Sequence, residues 1–182
     1  MMKRRKKRKV LREKRSGNTL AIQWHGRYGR LVSALTKHSN IVNRALNIRR
    51  DMGGGIMLTA QELQVLENLI SHEDENRIMN EIALDCGIPQ SSMTKATQQL
   101  LKYRFVARYR LDGNMKNIIL RPTEMGKQFY NSYVENEAKM VFEEFFAELA
   151  PLSDEQLLIF CNALEKLNRN LKSDSEQKLI EF

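Results

Sequence analysis

Disulfides do not hold this chain together. Its 182 residues include two cysteines, Cys86 and Cys161, far apart and without the spacing of a metal-binding pair, which suits a reduced, cytoplasmic protein. No apolar run approaches the ~20 residues that a membrane span needs. The basic N-terminus has no apolar stretch behind it, so it does not read as a secretory signal. There is no Gly-rich phosphate loop, no nucleophile elbow and no H-E-x-x-H. The three histidines, His25, His38 and His72, fall on separate segments without ligand spacing. These gaps argue against an enzyme and leave no expected metal or cofactor.

Another absence is local. From Gln90 to Leu111 there is no Asp or Glu. The formal net charge of +8 conceals three unlike segments. Residues 3–15 hold ten Lys/Arg against one Glu. Residues 90–121 hold seven Lys/Arg (Lys95, Lys102, Arg104, Arg108, Arg110, Lys116, Arg121) against Asp112 alone. Residues 124–182 hold twelve acids against six bases. A polyanion would meet the middle segment and avoid the last. The tail, residues 1–16, cannot bury a core and reads as disordered when free, adding nonspecific polyanion affinity.

What remains is patterned. Residues 17–52 form an arm and a helix, with Leu31, Leu35, Val42 and Leu46 at helical steps. Gly53-Gly54-Gly55 breaks the chain. Thr59-Ala60-Gln61-Glu62 is a capping box, with Leu58 and Leu63 placed as a hydrophobic staple, and a helix follows to Ile70 with Leu63, Leu66 and Ile70 inward. A short helix spans Arg77 to Cys86, with Ile78, Ile82 and Ala83 inward. Gly87 is its C-cap, and Pro89 stands in the first turn of a helix running to Tyr103. Phe105–Arg110 and Met115–Leu120 read as strands joined at Asp112-Gly113. Thr123 caps a helix without Gly or Pro from Lys127 to Ala150, striped by Tyr130, Val134, Val141, Phe142, Phe145 and Leu149. Pro151 ends it, and Ser153 with Gln156 caps a last helix bearing Leu157, Phe160, Leu164, Leu167 and Leu171. Both cysteines are expected to be buried and inert.

Two short helices joined by a tight turn and followed by a basic hairpin describe a winged helix-turn-helix. The segment 77–103 would supply the helix pair and 105–121 the wing, within a lobe of residues 56–122. A B-DNA major groove is ~12 Å wide and admits one helix. On the second helix Ser91, Lys95, Gln98 and Lys102 share a stripe flanked by Ser92 and Thr94, while Met93, Ala96 and Leu100 face the other way. Arg108 and Arg110, two apart on a strand, point to one face, and Asn114 and Lys116 sit near the wing tip. These ten side chains are the expected DNA contacts.

From about residue 30 to 172 the chain resembles the MarR family of bacterial regulators. The carrying stretches are Leu58-Thr59-Ala60-Gln61, Asn80-Glu81-Ile82-Ala83, Ser91-Ser92-Met93-Thr94-Lys95, Leu100 to Arg108, Thr123-Glu124-Met125-Gly126 and Leu152-Ser153-Asp154-Glu155-Gln156-Leu157. The resemblance implies a mainly α fold. A winged helix-turn-helix lobe would be joined to a dimerisation lobe made of the first and last two helices, the latter within residues 123–182. It also implies a homodimer on double-stranded DNA, with a small effector in the crevice between lobes and Trp24 and Tyr28 anchoring the arm on the partner. Two positions depart from the family. Its Asp-x-Arg wing tip reads Asn114-Met115-Lys116, and its Gly after the recognition helix reads Arg104. Two rival readings are an RNA- or ribosome-associated winged-helix protein driven by its tail, and a protein-interaction module without DNA specificity.

Overall fold

The computed structural model describes residues 25–111 and 114–175. The basic tail, the arm through Trp24, the Asp112-Gly113 turn and residues 176–182 lie outside the described residues. The chain divides into two compact units, one ending at Tyr130 and the other beginning at Asn131.

In the first unit, one 3₁₀ turn (Gly26–Tyr28) leads into α1 (Gly29–Ala45). Two-residue strands β1 (Arg50–Asp51) and β2 (Met57–Leu58) then pair antiparallel around the three glycines. The sequence marks the glycine break but carries no signal for the ribbon. Gly53, Gly54 and Gly55 all have positive φ, which glycine adopts without steric cost.

Helix α2 (Ala60–Ser71) begins with the expected capping box. The Glu62 N–H donates to Thr59 Oγ1 at 3.2 Å, and the Thr59 N–H donates to Glu62 Oε2 at 2.8 Å. Its buried face is Glu62, Leu63, Val65, Leu66 and Leu69. Ile70, expected inward, is half-buried, because the core lies along the row through residues 62, 65, 66 and 69.

Helix α3 (Met79–Asp85) starts two residues later than expected. Ile78 is extended and its N–H is taken by the Glu81 carboxylate at 3.0 Å. Ile78 also bridges to Ile119, which explains its absence from the helix. Helix α4 (Gln90–Lys102) follows, and Pro89 is its N-cap rather than its first helical residue. Strands β3 (Val106–Leu111) and β4 (Asn114–Pro122) pair antiparallel, with Arg108 opposite Leu120 and Tyr109 opposite Ile119. One core unites these elements through Leu58, Leu66, Leu69, Ile82, Met93, Leu100, Ile119 and Leu120. Burying each contributes roughly 1.5–3 kcal/mol.

Helix α5 (Glu124–Tyr133) opens at Thr123 and crosses into the second unit. The uninterrupted helix expected to Ala150 carries instead a π-helical turn at Val134–Ala138, followed by α6 (Lys139–Leu149). The Asn136 amide donates to the Ser132 carbonyl at 2.8 Å, competing with the backbone for an acceptor that the regular helix would use. The second unit ends in α7 (Asp154–Ser175). Its cap forms as expected: the Ser153 N–H donates to Gln156 Oε1 at 3.0 Å, and the Gln156 N–H to Ser153 Oγ at 3.3 Å. No described side chain of α1 or α6 is buried. Cys161 on α7 is exposed, contrary to expectation, because it lies to the side of the half-buried row of Leu157, Phe160 and Leu164; Cys86 is buried. Among the described residues, no helix is long and apolar enough to cross a membrane.

Candidate nucleic-acid interface

Both helices of the α3–α4 pair end in one motif. At α3, the Gly87 N–H donates to Leu84 O at 3.1 Å and the Ile88 N–H to Ala83 O at 3.0 Å. At α4, the Arg104 N–H donates to Leu101 O at 3.0 Å and the Phe105 N–H to Leu100 O at 2.9 Å. Each is a Schellman cap, which needs a left-handed residue after the helix. Gly87 fills one (φ 65°) and Arg104 the other (φ 58°). The first cap turns the chain tightly from α3 into α4; the second turns it from α4 into β3.

Helix α4 is divided by face as its sequence indicates. Met93, Ala96, Thr97 and Leu100 are buried. Ser91, Thr94, Lys95, Gln98 and Lys102 are exposed, and Ser92 is half-buried. The Thr94 hydroxyl donates to Gln90 O at 3.0 Å, which uses its hydrogen and leaves its oxygen able to accept a further bond. Lys102 Nζ lies 5.8 Å from the Tyr103 ring centroid, a cation–π distance.

The wing is bound to the helix pair along one edge. The Leu120 N–H approaches Arg77 O at 3.4 Å, and Arg121 Nη2 donates to Asn76 Oδ1 at 2.6 Å. Arg77 itself donates to Asn68 Oδ1 at 3.1 Å and pairs with Asp85, whose hydrogen bond raises the guanidinium pKa above its ordinary value. Of the basic residues in this region, Arg121 therefore serves the framework. Arg108 and Arg110 are exposed on β3. The pairing register shifts between Tyr109 and Leu111, a bulge next to Arg110 that the sequence reading did not include. Asn114 and Lys116 fall in β4, but their side chains lie outside the described residues.

Lys95, Lys102, Arg104, Arg108 and Arg110 are all exposed, and none makes an ion pair among the described residues. Cations without acids nearby remain available to an external polyanion. Arg104, part of the basic segment but not among the ten expected contacts, is also exposed, between α4 and the wing. A second acid-free stretch lies outside the segments singled out above. Residues 25–50 hold six Lys/Arg and no Asp or Glu, and on α1 Arg30, Lys37 and Arg44 are exposed. Counting acids along the first helix would have found it. Among the described residues, no three His, Cys, Asp or Glu side chains come together as a metal site.

A bracing helix, a tight turn, an outward-facing polar helix and a two-stranded wing define a winged helix-turn-helix protein. Within that class the fold is MarR-like, as three solved structures attest. AdcR, the adhesin competence repressor of Streptococcus pyogenes, matches with a TM-score of 0.53 over 80% of this chain and 98% of its own, at 18% identity. ZitR of Lactococcus lactis, a zinc-responsive MarR family member, matches with a TM-score of 0.52 over 78% of this chain and 96% of its own, at 15% identity. The PcaV transcriptional regulator of Streptomyces coelicolor, solved with its natural ligand, matches with a TM-score of 0.52 over 80% and 94%, at 16% identity. At such identities the likeness is one of fold. No protein-family model and no curated protein sequence matches the chain.

Proposed function

We propose that this chain is a cytoplasmic, sequence-specific regulator of transcription. It binds double-stranded DNA as a homodimer, represses by occupying a near-palindromic operator, and responds to a small effector. Its role is binding rather than catalysis. The observation that carries this reading is the exposed stripe of Ser91, Thr94, Lys95, Gln98 and Lys102, on a helix whose other face is locked into the core. Ser, Thr, Gln and Lys can reach base edges and phosphates, and the absence of acids spares the stripe repulsion from the duplex. Arg104, Arg108, Arg110 and Lys116 extend the same charge along the wing, and Asn114 adds a polar group near its tip.

Two observations favour a second copy. Helices α1 and α6 bury no described side chain, and Phe142, Phe145, Phe146, Leu158, Ile159 and Leu171 are exposed. Residues 25–50 are acid-free, whereas residues 124–182 carry twice as many acids as bases. A partner that joins these segments covers apolar surface and compensates charge at once. Two recognition helices about 34 Å apart would then meet successive major grooves. An effector that changes this spacing shifts the balance between bound and free forms. Repression and effector response are favoured by the neighbours, since AdcR is described as a repressor and PcaV was solved with its ligand.

The test starts with selection from random duplex oligonucleotides, followed by binding titrations at fixed salt. Lys95→Ala is expected to weaken binding to the selected site by roughly 1–3 kcal/mol. Deletion of residues 3–15 is expected to lower affinity while leaving the site preference intact. No enriched sequence, or binding abolished by loss of the tail alone, sinks this reading in favour of an interaction module or a tail-driven RNA binder respectively.

A further inference from the structure

Three elements that are distant in sequence meet at the backbone of one residue, Met57. Its N–H donates to the Tyr103 hydroxyl at 3.0 Å. Its carbonyl accepts from Gln99 Nε2 at 3.2 Å and from Arg49 Nη1 at 2.9 Å. Arg49 stands just beyond α1, Met57 in β2, and Gln99 and Tyr103 at the C-terminal end of α4. The Arg49 guanidinium also grips Glu62, at 2.8 Å to Oε1 and 3.2 Å to Oε2. Glu62 is buried, and Arg49 supplies the positive partner that its carboxylate needs there.

We propose that the β1–β2 ribbon is a strap through which the end of the first helix sets the pose of the recognition helix, with Arg49, Gln99 and Tyr103 as positioning residues. The functional part of this inference rests on the DNA-binding reading above. A ribbon of two-residue strands has little stability of its own. This one is held at three places. Leu58 is fully buried, the Gly53 N–H donates to Asp51 Oδ1 at 2.9 Å, and the Met52 N–H donates to Ile56 O at 2.8 Å. Among the described residues, the strap bonds α4 at its last turn, through Gln99 and Tyr103. Gln98 and Lys102, neighbours of Gln99 and Tyr103, belong to the outward stripe, and Lys102 lies over the Tyr103 ring. Ser91, Ser92 and Lys95, at the other end, have no bond to the ribbon among the described residues. Movement of Arg49 therefore reaches one end of the stripe through the backbone of one residue, directly to Gln99 at the Met57 carbonyl and across the Met57 Cα to Tyr103 at its N–H, while Met93, Ala96 and Leu100 keep the helix seated.

The experiment uses the full chain and two conservative variants, Arg49→Lys, which keeps the charge beside Glu62 but loses the fork, and Tyr103→Phe, which deletes one hydroxyl. Without DNA, amide hydrogen exchange in Arg49→Lys is expected to quicken about tenfold at Leu101–Tyr103, which Arg49 does not touch, and to stay unchanged at Met93–Ala96. Unchanged exchange at the last turn, or uniform acceleration across α4, overturns the strap. With DNA, duplexes carrying two selected half-sites at spacings stepped by one base pair are titrated. The wild type is expected to favour one spacing, and both variants to flatten that preference about tenfold while single half-site binding holds. A merely stabilising role lowers Tm and leaves the shape of the spacing profile alone, which also overturns the inference. A wild type without any spacing preference overturns the dimeric DNA-binding reading instead, and the exchange result decides the strap by itself.

Discussion

Gly87 and Arg104 occupy equivalent places in consecutive Schellman caps, yet only one is suited to its backbone. A left-handed residue with a side chain costs roughly 1–2 kcal/mol, and glycine escapes that cost. Arg104 bears it at φ 58°, exposed between the recognition helix and the wing. Strain kept at such a place points to use of the side chain. Arg104→Gly is therefore expected to raise stability by about 1 kcal/mol in denaturant titrations while weakening DNA binding and reducing its salt dependence. Unchanged affinity would show that the arginine serves no contact. Cys86 gives a prediction in pH. Burial pushes its thiol from an ordinary 9.0 up to about 11. Between those values the unfolded chain has lost the proton and the folded chain has kept it, so stability falls as pH rises from about 9 through about 11. Denaturation midpoints of the wild type should thus decline relative to those of Cys86→Ala over that window. Parallel curves would contradict the burial of the thiol.

At the scale of elements, the corner where α4, the wing and α5 meet is the tightest described. The Thr123 N–H donates to Phe105 O at 2.9 Å, its hydroxyl to Arg104 O at 2.7 Å, and the Gly126 N–H to Thr123 Oγ1 at 3.1 Å. Phe105 stacks on Phe129 with ring centroids 4.4 Å apart. A Cβ on Gly126 would lie 2.1 Å from the Phe105 carbonyl oxygen. Backbone cannot yield as a side-chain end does, so Gly126→Ala should destabilise by at least ~1–3 kcal/mol, read as a lowered denaturation midpoint. A neutral result would mean that α5 can slide off this corner. What could be read from the sequence was what local chemistry decides. Thr59 with Glu62, Ser153 with Gln156, Gly87, and the two faces of α4 all follow from neighbours within four residues. The β1–β2 ribbon could not be read that way, because its strands have two residues each and are held by Arg49, Gln99 and Tyr103 from other elements. The π turn escaped for a similar reason: Val134–Ala138 has ordinary helix formers, and one Asn136 amide competing for the Ser132 carbonyl has no periodic signature. The outward stripe was legible residue by residue, as was the exposure of Arg108 and Arg110, whereas the register shift between Tyr109 and Leu111 was not, since a bulge leaves no periodic mark in the sequence.

At the scale of the whole molecule, charge is sorted along the chain more sharply than its total suggests. Of the bases in residues 25–50, Arg49 is paired with Glu62. Among the described residues Arg30, Lys37 and Arg44 make no ion pair, and neither do Glu143, Glu144, Glu148, Asp154 or Glu155. If two copies associate through these segments, opposite charges flank an apolar contact that includes Phe142, Phe145 and Phe146. An interface held by apolar burial alone is unaffected or strengthened by salt, whereas attraction between exposed charges is screened once the Debye length drops from ~10 Å at 0.1 M to ~3 Å at 1 M. Sedimentation equilibrium should accordingly show a dimer that loosens as salt rises across that range. Lys37→Glu should loosen it further at low salt, and at high salt the variant and wild type should converge. A dimer indifferent to both salt and Lys37→Glu would mean that the cationic helix faces something other than the acidic segment of its twin.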